Sequence, residues 1–206
     1  MQYTDNYQPE FSREEREQQR IERDAEVRMK NNRMGIAIFQ GSWIMVFVCL
    51  IVVNWQLRYS PEWMIDGAEI PNPILPTVAT AVILLSTFLS WRALKAVKAD
   101  NVQVFLSQWR NAFLLGGVFL VIMISQFFTY LPGGGQFVFV YRVMIGYHAL
   151  HTAFIGLMMV QVWRYGKHGA YHSENHWSIE ATLNLWYFVT VAWVLFYIVL
   201  YLMPQP

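Results

Sequence analysis

The sequence predicts an all-α, polytopic membrane protein: a bundle of five transmembrane helices preceded by a charged cytoplasmic N-terminal arm. Of the 206 residues, 55% are hydrophobic and 14% are charged, whereas an average soluble domain has about 25% charged residues. The apolar residues are concentrated in five blocks, each close to the roughly 20 residues that a helix needs to cross a bilayer. The basic residues fall in alternate connections between these blocks, a pattern that favours an odd number of spans.

The transmembrane domain is predicted to cover residues 34–206. Inside hydrocarbon, each backbone N–H and C=O must be paired within its own segment, so we expect helices rather than isolated strands. The proline-containing stretch SPEWMIDGAEIPNPILP separates the first two helices, and LPGGGQ forms the turn before the fourth. The predicted spans are residues 34–55, 75–97, 112–130, 137–165 and 179–202.

The N-terminal arm, residues 1–33, is charged and contains few hydrophobic residues. Ser12 followed by Glu15 is the pattern of a capping box, which predicts that a helix starts here. Arg13 and Glu17 are four residues apart and would support this helix on an exposed face. We expect a solvated helix or arm; the alternative is an arm that docks on a partner.

Basic residues mark one side of the membrane. They precede the first span, bracket the connection between the second and third spans, and follow the fourth span: Arg28, Lys30, Arg33, Arg92, Lys95, Lys98, Arg110, Arg164 and Lys167. The other side carries fewer: Arg58 and Arg142, beside Glu62, Asp66 and Glu69. The positive-inside rule therefore predicts a cytoplasmic N-terminus and an external C-terminus.

Composition also excludes several classes of protein. Cys49 is the single cysteine, so the chain can form neither an internal disulfide nor a Cys-x-x-Cys metal site. A formal net charge of +1 gives no reason to expect nucleic acid as a partner. The start, MQYTDNYQPE, lacks a basic segment followed by an apolar one, so no cleavable signal peptide is expected.

Two histidines, His148 and His151, lie within the fourth span. An ionisable residue in a membrane is a candidate functional residue, but it can also be a buried hydrogen-bonding fixture. Their spacing of three places both on one helix face. A bis-histidine haem needs an imidazole on each side of the iron, and no other predicted span contains a histidine. We therefore expect structural fixtures and no haem on this chain.

The remaining histidines, His168, His172 and His176, lie in the connection KHGAYHSENHW. A spacing of four could hold a metal on a helix, but Gly169 interrupts the stretch. No metal site is predicted. A pump or transporter is also disfavoured, because proton and ion pathways need intramembrane carboxylates or histidines along their length. The interiors of the first three spans contain no Asp, Glu, Lys or Arg.

The last two spans carry a resemblance to a known family. GYHALHTAFIGL, followed by HWSIEATLNLWYFVTVAWVLFYIVLYL, resembles the end of subunit III of haem–copper cytochrome c oxidases. In that family G-[FY]-H-x-x-H is followed by a short loop and a helix with a glutamate and an aromatic motif. MGIAIFQGSWIMVF, LPTVATAVILLSTFLSWRALKAV and GVFLVIMISQFFTY are similar to the preceding helices. The resemblance covers residues 34–203 and is closest to the family's shorter, five-helix bacterial members.

Several residues match positions of the family's motifs, and others depart from them. By this resemblance His148 and His151 fall on the family's histidines and Glu180 on its glutamate, while Trp186, Phe188 and Trp193 fall on its aromatic motif. Family carboxylates in the first and third helices are replaced, as are a histidine and an aspartate in the last: Trp43, Thr129, Tyr187 and Thr190. The chain therefore resembles a divergent member, for which lipid-binding and structural roles are expected rather than proton-related ones.

The resemblance implies a noncatalytic subunit of a respiratory terminal oxidase that reduces oxygen to water. Haem and copper are then expected in partner subunits I and II, with no active site, cofactor or metal on this chain. Subunit III would stabilise the complex, bind membrane phospholipid, and aid oxygen access or sustained turnover in a prokaryotic cell membrane, alongside other respiratory-complex subunits. The alternatives are an accessory subunit of a quinol oxidase or nitric oxide reductase, and a freestanding lipid- or solute-binding membrane protein.

Two candidate sites follow. A buried polar network is predicted to join His148 and His151 to Glu180, with Asn184 or Tyr187 as the bridge; the alternative is that each polar group is satisfied locally. The second site is lipidic. Aromatic and basic residues are candidates for lipid contact, and glycines permit close helix approach or a groove: Trp91, Arg92, Trp186 and Trp193, with Gly35, Gly41, Gly116 and Gly117.

Overall fold

The structure, a computed structural model, describes residues 12–65, 69–132 and 135–203. In these ranges it contains five long apolar helices followed by a short π-helical turn, η1, and this confirms the predicted all-α, polytopic architecture. Part of the predicted arm, Asp66 and two glycines of the LPGGGQ turn lie outside the described residues. The elements are α1 (Arg13–Leu57), α2 (Ile74–Lys98), α3 (Val102–Phe127), α4 (Gly135–Lys167), α5 (Trp177–Tyr197) and η1 (Ile198–Leu202).

Helix α1 is one continuous helix of 45 residues. It begins with the predicted capping box: the Ser12 amide donates to Glu15 Oε2 (2.7 Å), and the Glu15 amide donates to Ser12 Oγ (3.2 Å). The chain divides into two compact units, Met1–Ile44 and Met45–Pro206. Between residues 12 and 44 no residue is buried within this chain.

The interior of the second unit is filled by large aromatic side chains whose polar atoms bond between helices. The indole N–H of Trp186 donates to Ser86 Oγ (3.1 Å), and Ser86 in turn donates to the carbonyl of Ala112 (2.7 Å). The indole N–H of Trp193 donates to Thr80 Oγ1 (2.9 Å). These bonds join α2 to α3 and α5 without a charge, as expected where an unpaired polar group would be costly.

Glycines mark two close contacts within this unit. A Cβ on Gly116 would lie 2.7 Å from the Trp186 ring, and one on Gly166 would lie 2.7 Å from the Phe105 ring. Each separation is too short for a side chain at that position. These glycines therefore allow α3 and α4 to approach bulky neighbours in the same chain.

The connection between α1 and α2 covers the start of α4. The first amides of a helix have no partner within the helix. Here the amide of Gln136 donates to the carbonyl of Glu62 (3.0 Å), and that of Phe137 donates to the carbonyl of Trp63 (3.0 Å). Gly135, with φ of 49°, permits this approach, since a Cβ would collide with the Glu62 carbonyl.

At the other end of the chain, η1 is held by side chains from α3 and α4 and by Arg58, which follows α1. Arg58 donates from Nη2 to the carbonyl of Val199 (2.9 Å). The hydroxyl of Tyr141 donates to Gln126 Oε1 (2.9 Å) and lies 2.8 Å from the hydroxyl of Tyr201. This cluster joins α3, α4 and η1 at the end of the bundle opposite the α4–α5 connection.

Candidate functional site

His148 and His151 lie on the inward face of α4, with 0% and 1% of their surface exposed. Their ring centroids are 6.5 Å apart. The sequence predicted that both would share one helix face, and the structure places them so because residues three apart in a helix are neighbours. The pair lies near the middle of α4, at hydrocarbon depth.

Aromatic rings surround the pair. The ring centroid of His148 lies 5.7 Å from that of Phe119, 5.6 Å from that of Trp193 and 5.9 Å from that of Phe196. Phe47 of α1 contacts both histidines, with centroid distances of 5.6 and 5.4 Å. Helices α1, α3 and α5 thus meet α4 at this cluster, so the histidines lie where four helices pack together.

The polar atoms of His148 and of its neighbour one turn along, Thr152, are unusual. Within the described ranges, the two ring nitrogens of His148 have no hydrogen-bond partner. The hydroxyl of Thr152 has none there either. A charged imidazolium would be costly in such a place, and the ring packs as an aromatic body among others. The geometry therefore suits a structural part of the core.

Glu180 lies elsewhere. Its carboxylate is 2.5 Å from Lys98 Nζ and 3.3 Å from His176 Nε2. Glu180 is in the first turn of α5, where a negative charge is favoured by the helix dipole. His148 is 19 residues from the end of α4, a distance of about 28 Å at 1.5 Å per residue. This difference in depth explains why the acid contacts Lys98 and His176 instead of His148.

The residues predicted to bridge the network also point away from it. Asn184 is exposed on α5, and Tyr187 is half-buried. Both lie on the part of α5 that faces outward, while Trp186 and Trp193 occupy the inward face and are fully buried. Neither tryptophan presents its ring to lipid. Their sequence signal, an aromatic residue in a span, is the same for an inward and an outward ring.

The lipid-contact candidates on α2 do lie at the surface. Trp91 is 38% exposed, and Lys95 Nζ lies 3.8 Å from its ring centroid. Arg92 Cζ lies 6.0 Å from the ring centroid of Phe88. A basic group over an aromatic face at the end of a span is typical of the membrane interface.

The α4–α5 connection is fastened to the end of α2 by a second contact that the sequence did not indicate. Asp100 Oδ1 accepts a hydrogen bond from the amide of Ser173 (2.7 Å). This backbone hydrogen bond stabilises the carboxylate and lowers the pKa of Asp100 below its ordinary value. Together with the ion pair of Lys98 and Glu180, this hydrogen bond connects the end of α2 to the α4–α5 connection and the start of α5.

The histidines of the α4–α5 connection were the other candidate metal ligands. No group of three or more His, Cys, Asp or Glu side chains in the described ranges could hold a metal ion. In the α4–α5 connection, His172 forms an isolated β-bridge with Asn175, and His176 contacts Glu180. These histidines take part in loop contacts.

Comparison with known proteins gives a family. Residues 15–205 match the family model described as cytochrome c oxidase subunit III. Three relatives carry the name cytochrome c oxidase subunit 3. The protein from Thermostichus vulcanus is 28% identical over 84% of this chain and 87% of its own length. One from Synechocystis is 26% identical over 82% and 74%, and one from Bacillus sp. strain PS3 is 27% identical over 88% and 90%.

The matched region includes the histidine cluster and the five helices of the described ranges, apart from the first two residues of α1. It confirms the resemblance on which the sequence-based interpretation rested. The family is that of a subunit in an oxidoreductase complex. The chain therefore belongs to the cytochrome c oxidase subunit III family and is a multi-pass membrane subunit of a haem–copper oxidase.

Proposed function

We propose that this chain is the noncatalytic subunit that stabilises a cytochrome c oxidase, with haem and copper held by subunits I and II. The complex would reduce oxygen to water, and this chain would prolong its turnover. The observation that carries the proposal is the family match over residues 15–205. The aromatic histidine cluster supports it, because it joins α1, α3, α4 and α5 and so suits a structural role.

Purification tests this proposal and separates it from the alternatives. The chain would be tagged, expressed in its native membrane and extracted in mild detergent. We expect two larger subunits to co-purify with haem a and copper and with oxygen consumption driven by cytochrome c. Haem b with quinol oxidation or nitric oxide turnover would favour the alternative complexes. A colourless chain without partners would contradict the proposal.

We also propose that the patch of Trp91, Arg92 and Lys95 binds phospholipid headgroups. The Trp91 ring is exposed and covered by Lys95 Nζ, so an aromatic body and cations occur together at the end of α2. Anionic headgroups attract such basic residues near the cytoplasmic surface. Mass spectrometry of the same purified complex would report retained phospholipid, and its complete absence would count against this part.

Orientation follows as part of the proposal. The ion pair of Lys98 with Glu180 and the bond of Asp100 with Ser173 lie at the end of the bundle that carries most of the basic residues. We place this end, and the N-terminal arm, in the cytoplasm. A protease accessibility assay on sealed vesicles would measure this directly.

A further inference from the structure

A long apolar groove runs along the outward surface between α3 and α4. It consists of two adjoining cavities of about 380 and 370 Å³ that share Leu120 and Ala153 as lining residues. The α3–α4 groove extends from Gly146 to Val160, about 21 Å at 1.5 Å per residue. It therefore crosses most of the hydrocarbon region on one face of the chain.

Two glycines in this groove have no explanation within the chain. Gly146 is accounted for, because a Cβ there would lie 2.9 Å from the Phe127 ring. Gly117 and Gly156 line the groove, and a Cβ on either would meet no atom within 4 Å. Glycine weakens a helix relative to alanine. In membranes, small residues allow the backbone of another helix to approach closely. Because no atom in the described part of this chain would meet a Cβ on Gly117 or Gly156, such a helix would belong to another chain.

Thr152 supplies an independent observation at the same place. It lines the groove, is only 2% exposed, and its hydroxyl has no partner within the described ranges. Every other described threonine donates to the carbonyl four residues earlier: Thr77, Thr80, Thr87, Thr129, Thr182 and Thr190. The Thr152 oxygen has almost no exposed surface in the open groove, so an occupant would meet it after a rotation of the Thr152 side chain. A buried donor in hydrocarbon requires an acceptor, and a lipid acyl chain offers none.

Charge marks the end of the groove near the α4–α5 connection. Phe113 lines the groove and contacts Trp163, with ring centroids 5.5 Å apart, so α3 and α4 are adjacent at this level. Arg110 and Arg164 are exposed and lie about one turn beyond the groove. In the described part of the chain, neither arginine is in an ion pair. An acidic group on an occupant would complement them.

We propose that a transmembrane helix of another oxidase subunit docks in the α3–α4 groove. This inference rests on the proposed function, which supplies the complex. The docked helix has small residues opposite Gly117 and Gly156, a hydrogen-bond acceptor level with Thr152, and an acidic residue near Arg110 and Arg164. The groove is thus an intersubunit surface.

Matched variants of the tagged chain in its native membrane test this proposal. Gly156→Leu places a side chain in the groove from a position where a Cβ meets no atom of the described residues within 4 Å, and Ala81→Leu, at an exposed position of α2 outside the groove, is the control. Gly156→Leu should lower the amount of partner subunit that co-purifies by about tenfold, the loss expected if roughly 1.4 kcal/mol of association is removed. Ala81→Leu should leave this amount unchanged.

Thr152 gives a second readout that does not depend on folding of the leucine variant. Thr152→Val removes the hydroxyl at nearly constant shape, and Thr152→Ser keeps it. We expect severalfold less partner subunit with valine and recovery with serine, while the amount of the tagged chain in the membrane does not fall with valine. Equal partner retention in Thr152→Val and wild type would overturn the proposal.

Native mass spectrometry distinguishes a docked helix from the other occupant that the groove could hold, a phospholipid. If Gly156→Leu keeps its partner subunits but loses a bound phospholipid, the groove holds lipid and the proposal is overturned. If the unmodified chain co-purifies with no subunit at all, the proposed function fails. That outcome is distinct from a loss that is confined to the groove variants.

Discussion

At the residue scale, His148 shows how a polar side chain can serve as an aromatic one. Its ring contacts Phe119, Trp193 and Phe196 at centroid distances below 6 Å, and neither of its nitrogens has a partner in the described ranges. A buried polar atom without a partner costs free energy, and replacing it by an apolar group of similar shape can be neutral or stabilising. The ring's contribution to the core is therefore its shape.

These contacts predict the direction in which replacement of His148 changes thermal stability. His148→Phe should leave the thermal stability of the purified complex unchanged or raise it, since the aromatic contacts stay and the unmet nitrogens are removed. His148→Ala, the matched control, should cost about 2–5 kcal/mol because it leaves a cavity. Thermal denaturation followed by circular dichroism measures both. A large loss of stability in His148→Phe would show that the nitrogens bind something essential.

Sequence patterns identified the histidine pair but not the partners of Glu180. A spacing of three residues is local information, and it placed His148 and His151 on one face. The partner of Glu180 depends on helix depth and on where α2 ends, which puts Lys98 Nζ 2.5 Å from the carboxylate. Which tryptophans are buried also depends on distant parts of the chain. Trp186 and Trp193 are interior, although a tryptophan in a span fits either an inward or an outward face.

At the element scale, the start of α1 and the bounds of α2 were predictable because their signals are short-range, whereas α3 begins ten residues before its predicted span. Ser12 and Glu15 form the expected capping box, and α2 begins and ends within one residue of the predicted span. The continuous course of α1 through the charged arm was not predicted, because composition changes at residue 34 while helical hydrogen bonding does not. The π-helical turn at Ile198–Leu202 has no signal in the sequence, and neither does the hydrogen bond from Arg58 to the carbonyl of its residue Val199.

The α4–α5 connection is the element for which pH matters. The hydrogen bond from the Ser173 amide lowers the pKa of Asp100 in the folded protein. A carboxyl with a lowered pKa stabilises the fold at pH values above its ordinary pKa of about 3.9, and this contribution is lost as pH falls through the folded-state value. The contact should therefore persist through the neutral range and weaken only in acid.

Limited proteolysis of this connection tests the pH dependence. In the wild type, cleavage after His168 or Tyr171 should stay slow between pH 7 and pH 5, and accelerate below about pH 4 as Asp100 takes up a proton. Asp100→Ala should be cleaved faster across the whole range, because the Ser173 amide loses its acceptor. Glu174→Ala, an exposed acid in the same loop, is the control. Wild-type cleavage that rises already between pH 7 and pH 5 would contradict this account.

At the scale of the whole molecule, the chain is a set of helices joined by uncharged hydrogen bonds and aromatic contacts, with charge at the ends. That arrangement suits a subunit whose task is to support others. Composition and charge predicted the five spans, and the family match extends the account to a complex. A partner surface such as the α3–α4 groove could not be predicted from Gly117 or Gly156 alone, since a glycine in a span equally suits contacts within the chain.

We propose that electrons in this complex pass through other subunits and that this chain stabilises those subunits. The most direct measurement is to purify the whole complex, separate this chain from it by stronger detergent, and determine haem and copper in both fractions. We predict that all haem and copper stay with the remaining subunits, which still reduce oxygen but lose activity sooner during turnover. Haem or copper that leaves with this chain, in stoichiometric amount, would contradict the account.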